Sequence, residues 1–171
     1  MKTMTKHIII EGMDKTGKST LAKRLSEEFG IPIKKFSAPT DNKALQEYAA
    51  FLLNEKVPHI IDRCYMSELA YGPVKRGSSQ ISQLMKQMLE TAVKDNVIGI
   101  YCYDSSDAIK HRFDEDGETE TRKSEVDQIV ANYNRELDSS LINWLSVSMD
   151  DLKKIPQYIT GYVGALLAEA K

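Results

Sequence analysis

The sequence predicts an α/β domain in which five parallel strands carry helices on both faces. Three observations lead there. Short β-like runs alternate with segments of helical period, the pattern of a parallel sheet flanked by helices. A glycine-rich turn joins the first such run directly to a helix. The chain has 171 residues, 42% hydrophobic and 28% charged, enough for one hydrophobic core but not for two large domains. Residues 1–171 therefore read as a single domain.

The elements follow in order. Lys6 to Glu11 is the first strand, and a helix from about Ser19 to Phe29 carries Leu21, Leu25 and Phe29 along one side, with Gly30 as its C-cap. Ile31 to Ser37 reads as a second strand. The turn Ala38-Pro39-Thr40-Asp41 caps a helix bearing Leu45, Tyr48, Ala49 and Leu52. His59 to Asp62 is the third strand. Ile81, Leu84, Met85, Met88, Leu89 and Ala92 recur every three or four positions, which predicts an amphipathic helix with these side chains in the core. Val97 to Tyr103 makes the fourth strand. Asp114 to Glu120 (DEDGETE) is charge-dense and turn-prone and reads as a mobile, solvated loop. Val126, Ile129, Val130, Tyr133, Leu137 and Leu141 mark a long helix, and Asn143 to Val147 a fifth strand. The chain closes on a helix with Ile155, Tyr158, Ile159, Tyr162, Val163 and Leu167 at helical period, interrupted by Gly161 and Gly164.

Composition excludes several function classes. Twenty-three Lys and Arg against 25 Asp and Glu give a net charge of −2, which removes the electrostatic case for a general nucleic-acid binder. Apolar runs such as Ile8 to Ile10 and Val163 to Ala168 fall short of the roughly 20 residues a transmembrane helix needs. The polar stretch Met1 to Lys6 lacks the apolar centre of a secretory leader, so the expected location is the cytoplasm, that of the host if the protein is viral. Cys64 and Cys102 form no CxxC and are expected to be ordinary thiols. His7, His59 and His111 have no partners at metal or triad spacing.

The chemistry starts at Gly12-Met13-Asp14-Lys15-Thr16-Gly17-Lys18-Ser19-Thr20, which matches GxxxxGK[ST] at every fixed position between a strand and a helix. Glycines there let successive N–H groups point at phosphate oxygens, and the helix N-terminus adds its positive end. The motif predicts the P-loop NTPase fold, with Gly12, Thr16, Gly17, Lys18, Ser19 and Thr20 around the phosphates of ATP. Lys18 should reach the β- and γ-phosphates, and the Ser19 hydroxyl a bound Mg²⁺. A second cluster runs from Ile60 to Gly72. Asp62 and Arg63 stand at the carboxyl end of a strand, where ligands collect in open α/β sheets. Asp62 is placed for the water shell of Mg²⁺, and Arg63 has the forked donors that suit phosphate or carboxylate.

The opening EGMDKTGKST, the strand-terminal IIDRCYMSELAYG and the order of elements resemble the thymidylate kinases. The run Ser67-Glu68-x-x-Tyr71-Gly72-Pro73-Val74 resembles the small bacteriophage members, and the resemblance covers Lys6 to about Leu141. It implies that Asp14 binds the sugar 3′-hydroxyl of the acceptor and that Arg63 holds the acceptor monophosphate. It implies that Lys15 reaches the transferring phosphoryl where the lid has no catalytic Arg, that Tyr71 joins the acceptor site, and that the protein is a homodimer. The chain departs from the family after the second strand, where Phe36-Ser37-Ala38-Pro39-Thr40 replaces Glu-Pro or Pro-Glu-Arg. Phe36 remains suited to packing near the acceptor base, and Arg76 is expected to supply the missing phosphate contact. A short lid spans about 112–122. Among the cations flanking it, Lys110, Arg112, Arg122 and Lys123, Arg112 is taken as catalytic.

The resulting expectation is ATP- and Mg²⁺-dependent phosphorylation of a deoxynucleoside monophosphate, dTMP to dTDP. A deoxynucleoside kinase would share fold and motif, but its acceptor hydroxyl benefits from a carboxylate base after the second strand, and none stands there until Asp41. A kinase of a modified pyrimidine nucleotide and a nucleotide-dependent switch stay open, although the NKxD motif of guanine-specific switches is absent.

Overall fold

Ile8, Ile9 and Ile10 are fully buried because the strand that carries them is covered on both faces. The structure, a computed structural model, describes residues 6–38, 43–117, 119–154 and 156–169. The expected Pro39–Asp41 turn and the readings of Met1 to Thr5, Glu118 and Ile155 lie outside the described residues. Strand β1 (His7–Glu11) is central in a five-stranded sheet of order β2-β3-β1-β4-β5, with β2 (Ile33–Lys35), β3 (Ile60–Asp62), β4 (Val97–Tyr103) and β5 (Trp144–Ser148). Every pairing is parallel, with Ile10 opposite Asp62 on one side and Ile100 on the other. Successive side chains of β1 therefore serve opposite layers. Ile9 joins Tyr48, Leu52, Tyr65, Leu69, Ile129 and Tyr133 on one face. Ile8 and Ile10 pack with Leu21, Leu25, Ile159 and Val163 on the other.

The first layer is built from α2 (Ala44–Asn54), α3 (Tyr65–Arg76), α4 (Gln83–Val93), α5 (Ser106–Asp116) and α6 (Val126–Asp138). The second is built from α1 (Lys18–Phe29) and α8 (Pro156–Ala168), with α7 (Met149–Lys154) leading into α8. Helix α1 ends as its sequence predicts, on Gly30 at φ 64°, whose N–H donates to the Ser26 carbonyl at 2.9 Å. The strand reversal about β1 opens a crevice at the carboxyl ends of β1 and β3.

Three expectations need correction, and two stretches that the sequence left unassigned are helical. The Gly72-Pro73 segment, unassigned from the sequence, lies inside helix α3. The acidic run does not begin a loop at Asp114: α5 continues through Asp116, started by Ser105, whose hydroxyl accepts from the Ala108 N–H, and anchored by buried Ile109 and Phe113. Helix α6 stops at Asp138, leaving Leu141 half exposed. The expected closing helix is present as α8, and the stretch before it, left unassigned, forms the short helix α7. On α4 the apolar period misleads, for Leu84 and Met88 are 66% and 64% exposed while Lys86 and Glu90 are fully buried. The reason is partnership. Lys86 Nζ meets the Glu136 carboxylate at 3.2 Å and the Ser139 hydroxyl at 2.8 Å. Glu90 accepts from the Tyr65 and Ser140 hydroxyls, each at 2.8 Å, and from the Leu141 N–H at 2.7 Å. Burying these charges is tolerable only because each is met by several partners.

No helix among the described residues is long and apolar enough to cross a membrane. Cys64 and Cys102 are buried thiols, and burial pushes both upward, Cys102 to about 12.

Candidate active site

The phosphate-binding loop leaves β1 at a position only glycine can fill. Gly12 has φ 141°, and a Cβ there would lie 2.1 Å from the Cys102 carbonyl oxygen of the neighbouring strand. Gly17 starts α1 in the left-handed region at φ 82°, and Lys15 and Arg63 hold positive φ values of 63° and 72° without being glycines. Such backbone is uncommon for residues with a side chain and marks sites where neighbours over-determine the chain. The buried Thr16 hydroxyl donates to the Met13 carbonyl at 2.7 Å, bracing the loop from within. Lys18 is the first residue of α1, one earlier than expected. Its amine donates to the same carbonyl at 2.6 Å, and burial, reinforced by the Arg63 charge, lowers it from 10.5 to about 8.

Two cavities meet at this loop. The smaller, about 450 Å³, is lined by Lys15, Gly17, Lys18, Ser19, Thr20, Lys35 and Asp62. The larger, about 620 Å³, is lined by residues that include Tyr48, Ser67, Glu68, Tyr71, Arg76 and Thr121. Asp14, Phe36 and Arg63 border both. Of the residues expected in the acceptor site, all five (Asp14, Phe36, Arg63, Tyr71 and Arg76) therefore share one cavity. In the smaller cavity the Ser19 hydroxyl donates to Asp62 Oδ2 at 3.1 Å, and Lys35 Nζ approaches the same oxygen at 3.0 Å.

Buried bonds fix the two motifs relative to one another. Glu11, at the end of β1, accepts from the Cys64 N–H at 2.7 Å, the Ser67 N–H at 3.2 Å and the Ser67 hydroxyl at 2.5 Å, and burial raises its carboxyl. Arg63 pairs with Asp14 and lies 4.9 Å over the Tyr71 ring, while the Tyr71 hydroxyl accepts from the Asp14 N–H at 3.1 Å. Burial alone would lift the Asp14 carboxyl, but Arg63 and the Thr121 hydroxyl outweigh it and hold it below the usual range.

Residues beyond α5 reach the same carboxylate. Thr119 and Thr121 donate to Asp14 Oδ2 at 3.3 and 2.8 Å, and Lys75 Nζ donates to the Glu120 carbonyl at 2.7 Å. Lys15 lines the smaller cavity, yet its amine is spent on the C-terminal end of α5, at 2.9 Å from the Gly117 carbonyl and 3.2 Å from that of Arg112. The structure places Arg112 on α5 and in the wall of neither cavity: it pairs with Asp104 and donates to the Lys15 carbonyl at 2.9 Å. Lys110 and Lys123 pair with Asp127 and Asp114. Thr119, Thr121, Lys35 and Glu68 escaped the sequence reading. The two threonines sit inside an acidic run, and Lys35 lay inside the expected strand Ile31 to Ser37, whereas β2 ends at Lys35 and so brings it to the ligand-collecting end of the sheet.

No family model matches the chain. It is 31% identical over 130 residues to the SPbeta prophage-derived uncharacterized protein YorR of Bacillus subtilis (strain 168), covering 74% of this chain and 78% of YorR. A crystal structure of B. subtilis YorR in complex with phosphorylated GDP superposes with a TM-score of 0.79 at 23% identity over 96% of both chains. Deoxyadenosine kinase from M. mycoides, solved with dCMP and a flexible dCDP, gives 0.61 at 17% identity over 95% of this chain and all of that one. A gluconokinase from Sinorhizobium meliloti 1021 gives 0.62 at 12% identity over 97% and 93%. The sheet order and the phosphate loop thus define a P-loop protein with the fold of the small kinases. The chain belongs to the YorR family.

Proposed function

We propose that this protein transfers the γ-phosphoryl group of ATP to a deoxynucleoside monophosphate, with dTMP the expected acceptor. The observation that supports the reading best is the shared border of the two cavities, where Arg63 and Asp14 stand between the phosphate loop and the larger space. Phosphoryl transfer needs donor and acceptor oxygens in line and their charge offset. A phosphate on the acceptor brings its own nucleophile, and the forked donors of Arg63 suit it. Asp14 is better matched to a sugar hydroxyl than to proton abstraction, since Arg63 and two threonine hydroxyls engage both its oxygens and keep it ionised.

Lys18 is positioned to hold the β- and γ-phosphates, and Ser19 and Thr20 to close the loop around them. The hydroxyl of Ser19 and the carboxylate of Asp62 offer adjacent hard oxygen donors, the type Mg²⁺ takes. When bound, that ion offsets negative charge on the β- and γ-oxygens. Lys15 and Arg112 remain proposed contributors from the lid side. The guanine nucleotide in the YorR crystal and the cytosine nucleotides in the M. mycoides kinase support nucleotides as occupants of these cavities and keep other bases in view.

A deoxynucleoside kinase is the second reading, favoured by the likeness of the fold to the M. mycoides deoxyadenosine kinase. ADP formation with ATP and Mg²⁺ over all natural nucleosides and their monophosphates decides between them. Multiple turnover restricted to monophosphates supports the proposal, turnover restricted to nucleosides overturns it in favour of the second reading, and the absence of turnover with any acceptor leaves a nucleotide-binding module.

A further inference from the structure

Arg76 and Glu68 form a built feature in the part of the larger cavity's wall that the smaller cavity does not share. One Arg76 nitrogen lies 2.6 Å from each Glu68 carboxylate oxygen. The Glu68 side chain is 2% exposed and that of Arg76 39% exposed, so the carboxylate lies behind and the guanidinium in front. Glu68 cannot swing away, because it also accepts from the Gln80 N–H at 2.8 Å. The helix leaves room for the pair by an absence: a Cβ on Gly72 would meet Glu68 Oε1 at 2.7 Å and the Arg76 guanidinium at 3.1 Å.

The sequence suggested Arg76 as a phosphate contact, and two observations argue otherwise. Arg63 borders both cavities, whereas Arg76 lines the larger alone. An acceptor phosphate at the shared border leaves the opposite wall to the base. In addition, Glu68 cancels the charge of Arg76, so the wall offers directed N–H donors without the net positive charge that a phosphate rewards.

We infer that Arg76, oriented by Glu68, reads the acceptor base and selects one with a carbonyl at that edge, thymine, uracil, guanine or hypoxanthine, over cytosine and adenine. The inference rests on the larger cavity being the acceptor site proposed above. Arginine has five N–H donors and no acceptor. The oxygens of Glu68 that could accept are buried and already engaged. A carbonyl oxygen meets a donor here, while an exocyclic amino group sets donor against donor and leaves both unpaired, the situation in which hydrogen-bonding sites discriminate most strongly.

The test compares dTMP with dCMP and dGMP with dAMP, and the four matching nucleosides, by calorimetric binding and by kcat/KM with ATP and Mg²⁺. Wild type should favour the carbonyl base of each pair by about tenfold or more. Arg76→Met should bring that ratio close to one, and Arg76→Lys, with one movable donor group, should restore part of it. The double variant Glu68→Gln with Arg76→Met removes the buried charge left unpaired by the single change, and it should show the same lost ratio in a stably folded protein. A merely structural role would lower all acceptors together and keep the ratio. A wild-type ratio near one, or one favouring the amino bases, or a ratio that survives Arg76→Met, overturns the inference. The base ratio is read within each acceptor form and the kinase proposal across forms. A protein that prefers nucleosides with the ratio intact therefore rejects the proposal alone, and one that binds no acceptor of either form rejects both.

Discussion

Lys15 Nζ lies 2.9 Å from the carbonyl oxygen of Gly117, so a cation of the phosphate loop caps the C-terminal end of helix α5. The bond is returned, since Arg112 of that helix donates to the Lys15 backbone carbonyl at 2.9 Å. The amine also sits 4.9 Å over the Phe113 ring. Loop and helix end are thereby tied in both directions, and the proposed function gives the same lysine a place beside the transferring phosphoryl.

Lys15→Met should accordingly lower kcat by about tenfold or more with a smaller change in the KM for ATP, as expected for a cation that acts chiefly in the transition state. Amide hydrogen exchange at the end of α5 should quicken, because losing a cation at a helix C-terminus costs about 0.3–1 kcal/mol. Unchanged kcat with faster exchange would confine Lys15 to the capping role.

Lys18 links pH to nucleotide binding. Held at about 8 by burial, it is half deprotonated near that pH in the free protein, whereas bound phosphates favour its charged form. ATP binding at pH 8 should therefore take up roughly half a proton, and affinity should fall as pH rises through 8. Calorimetry in two buffers of different ionisation heat measures the uptake, and Lys18→Met should abolish it along with turnover. The sign for folding is the reverse of a stabilising pair. The unfolded chain keeps this proton up to about 10.5, so the group opposes folding at neutral pH, and its cost fades between about 8 and 10.5. Lys18→Met should thus melt at a higher temperature than wild type at pH 7.

The fully buried Lys86–Glu136 pair makes a prediction about stability alone. Burial would raise the Glu136 carboxyl, but Gln83 and Lys86 outweigh it and hold it below 4.5. Its contribution is present above about pH 4.5 and is lost as pH falls through the depressed value. Lys86→Met should cost about 1.5–3 kcal/mol in urea unfolding, since the carboxylate then keeps only Gln83 and the exposed Arg135, and a Lys86→Met, Glu136→Leu double variant should recover much of that loss. A single variant as stable as wild type would count against this account.

Arg63→Ala separates the two leading activities. If the acceptor carries a phosphate, losing this contact should lower kcat/KM for dTMP by about 10- to 100-fold with far less effect on the KM for ATP. Equal losses with dTMP and thymidine would assign Arg63 to lid and loop positioning through Asp14 instead.

Features written in consecutive residues were legible, and those assembled across the fold were not. The GxxxxGK[ST] loop and the strand carrying Ile8 to Ile10 needed only local pattern. The buried face of α4 was hidden because Lys86 depends on Glu136, 50 positions away, and Glu90 on Tyr65 and Ser140. A lone lysine in a sequence reads as surface. Gly72-Pro73 suggested no element, yet α3 runs through it, and the glycine serves the Glu68–Arg76 pair. Thr119 and Thr121 reach Asp14 across more than a hundred positions, a closeness that no local signal reports.

The hydroxyls of Thr119 and Thr121 on Asp14 roof the larger cavity but form no wall of the smaller. In kinetic terms this makes the two exchange routes unequal. On the proposed function, a nucleotide on the phosphate loop meets neither threonine, whereas an acceptor in the larger cavity and its product would leave only after the threonines let go of Asp14. Release of the phosphorylated acceptor should then be the slow, viscosity-sensitive step of the cycle, and Thr121→Val should hasten it while leaving ADP release at its original rate. Product-inhibition patterns and single-turnover traces measure the two rates separately, and a slower ADP release than acceptor release would reverse the assignment of the gate.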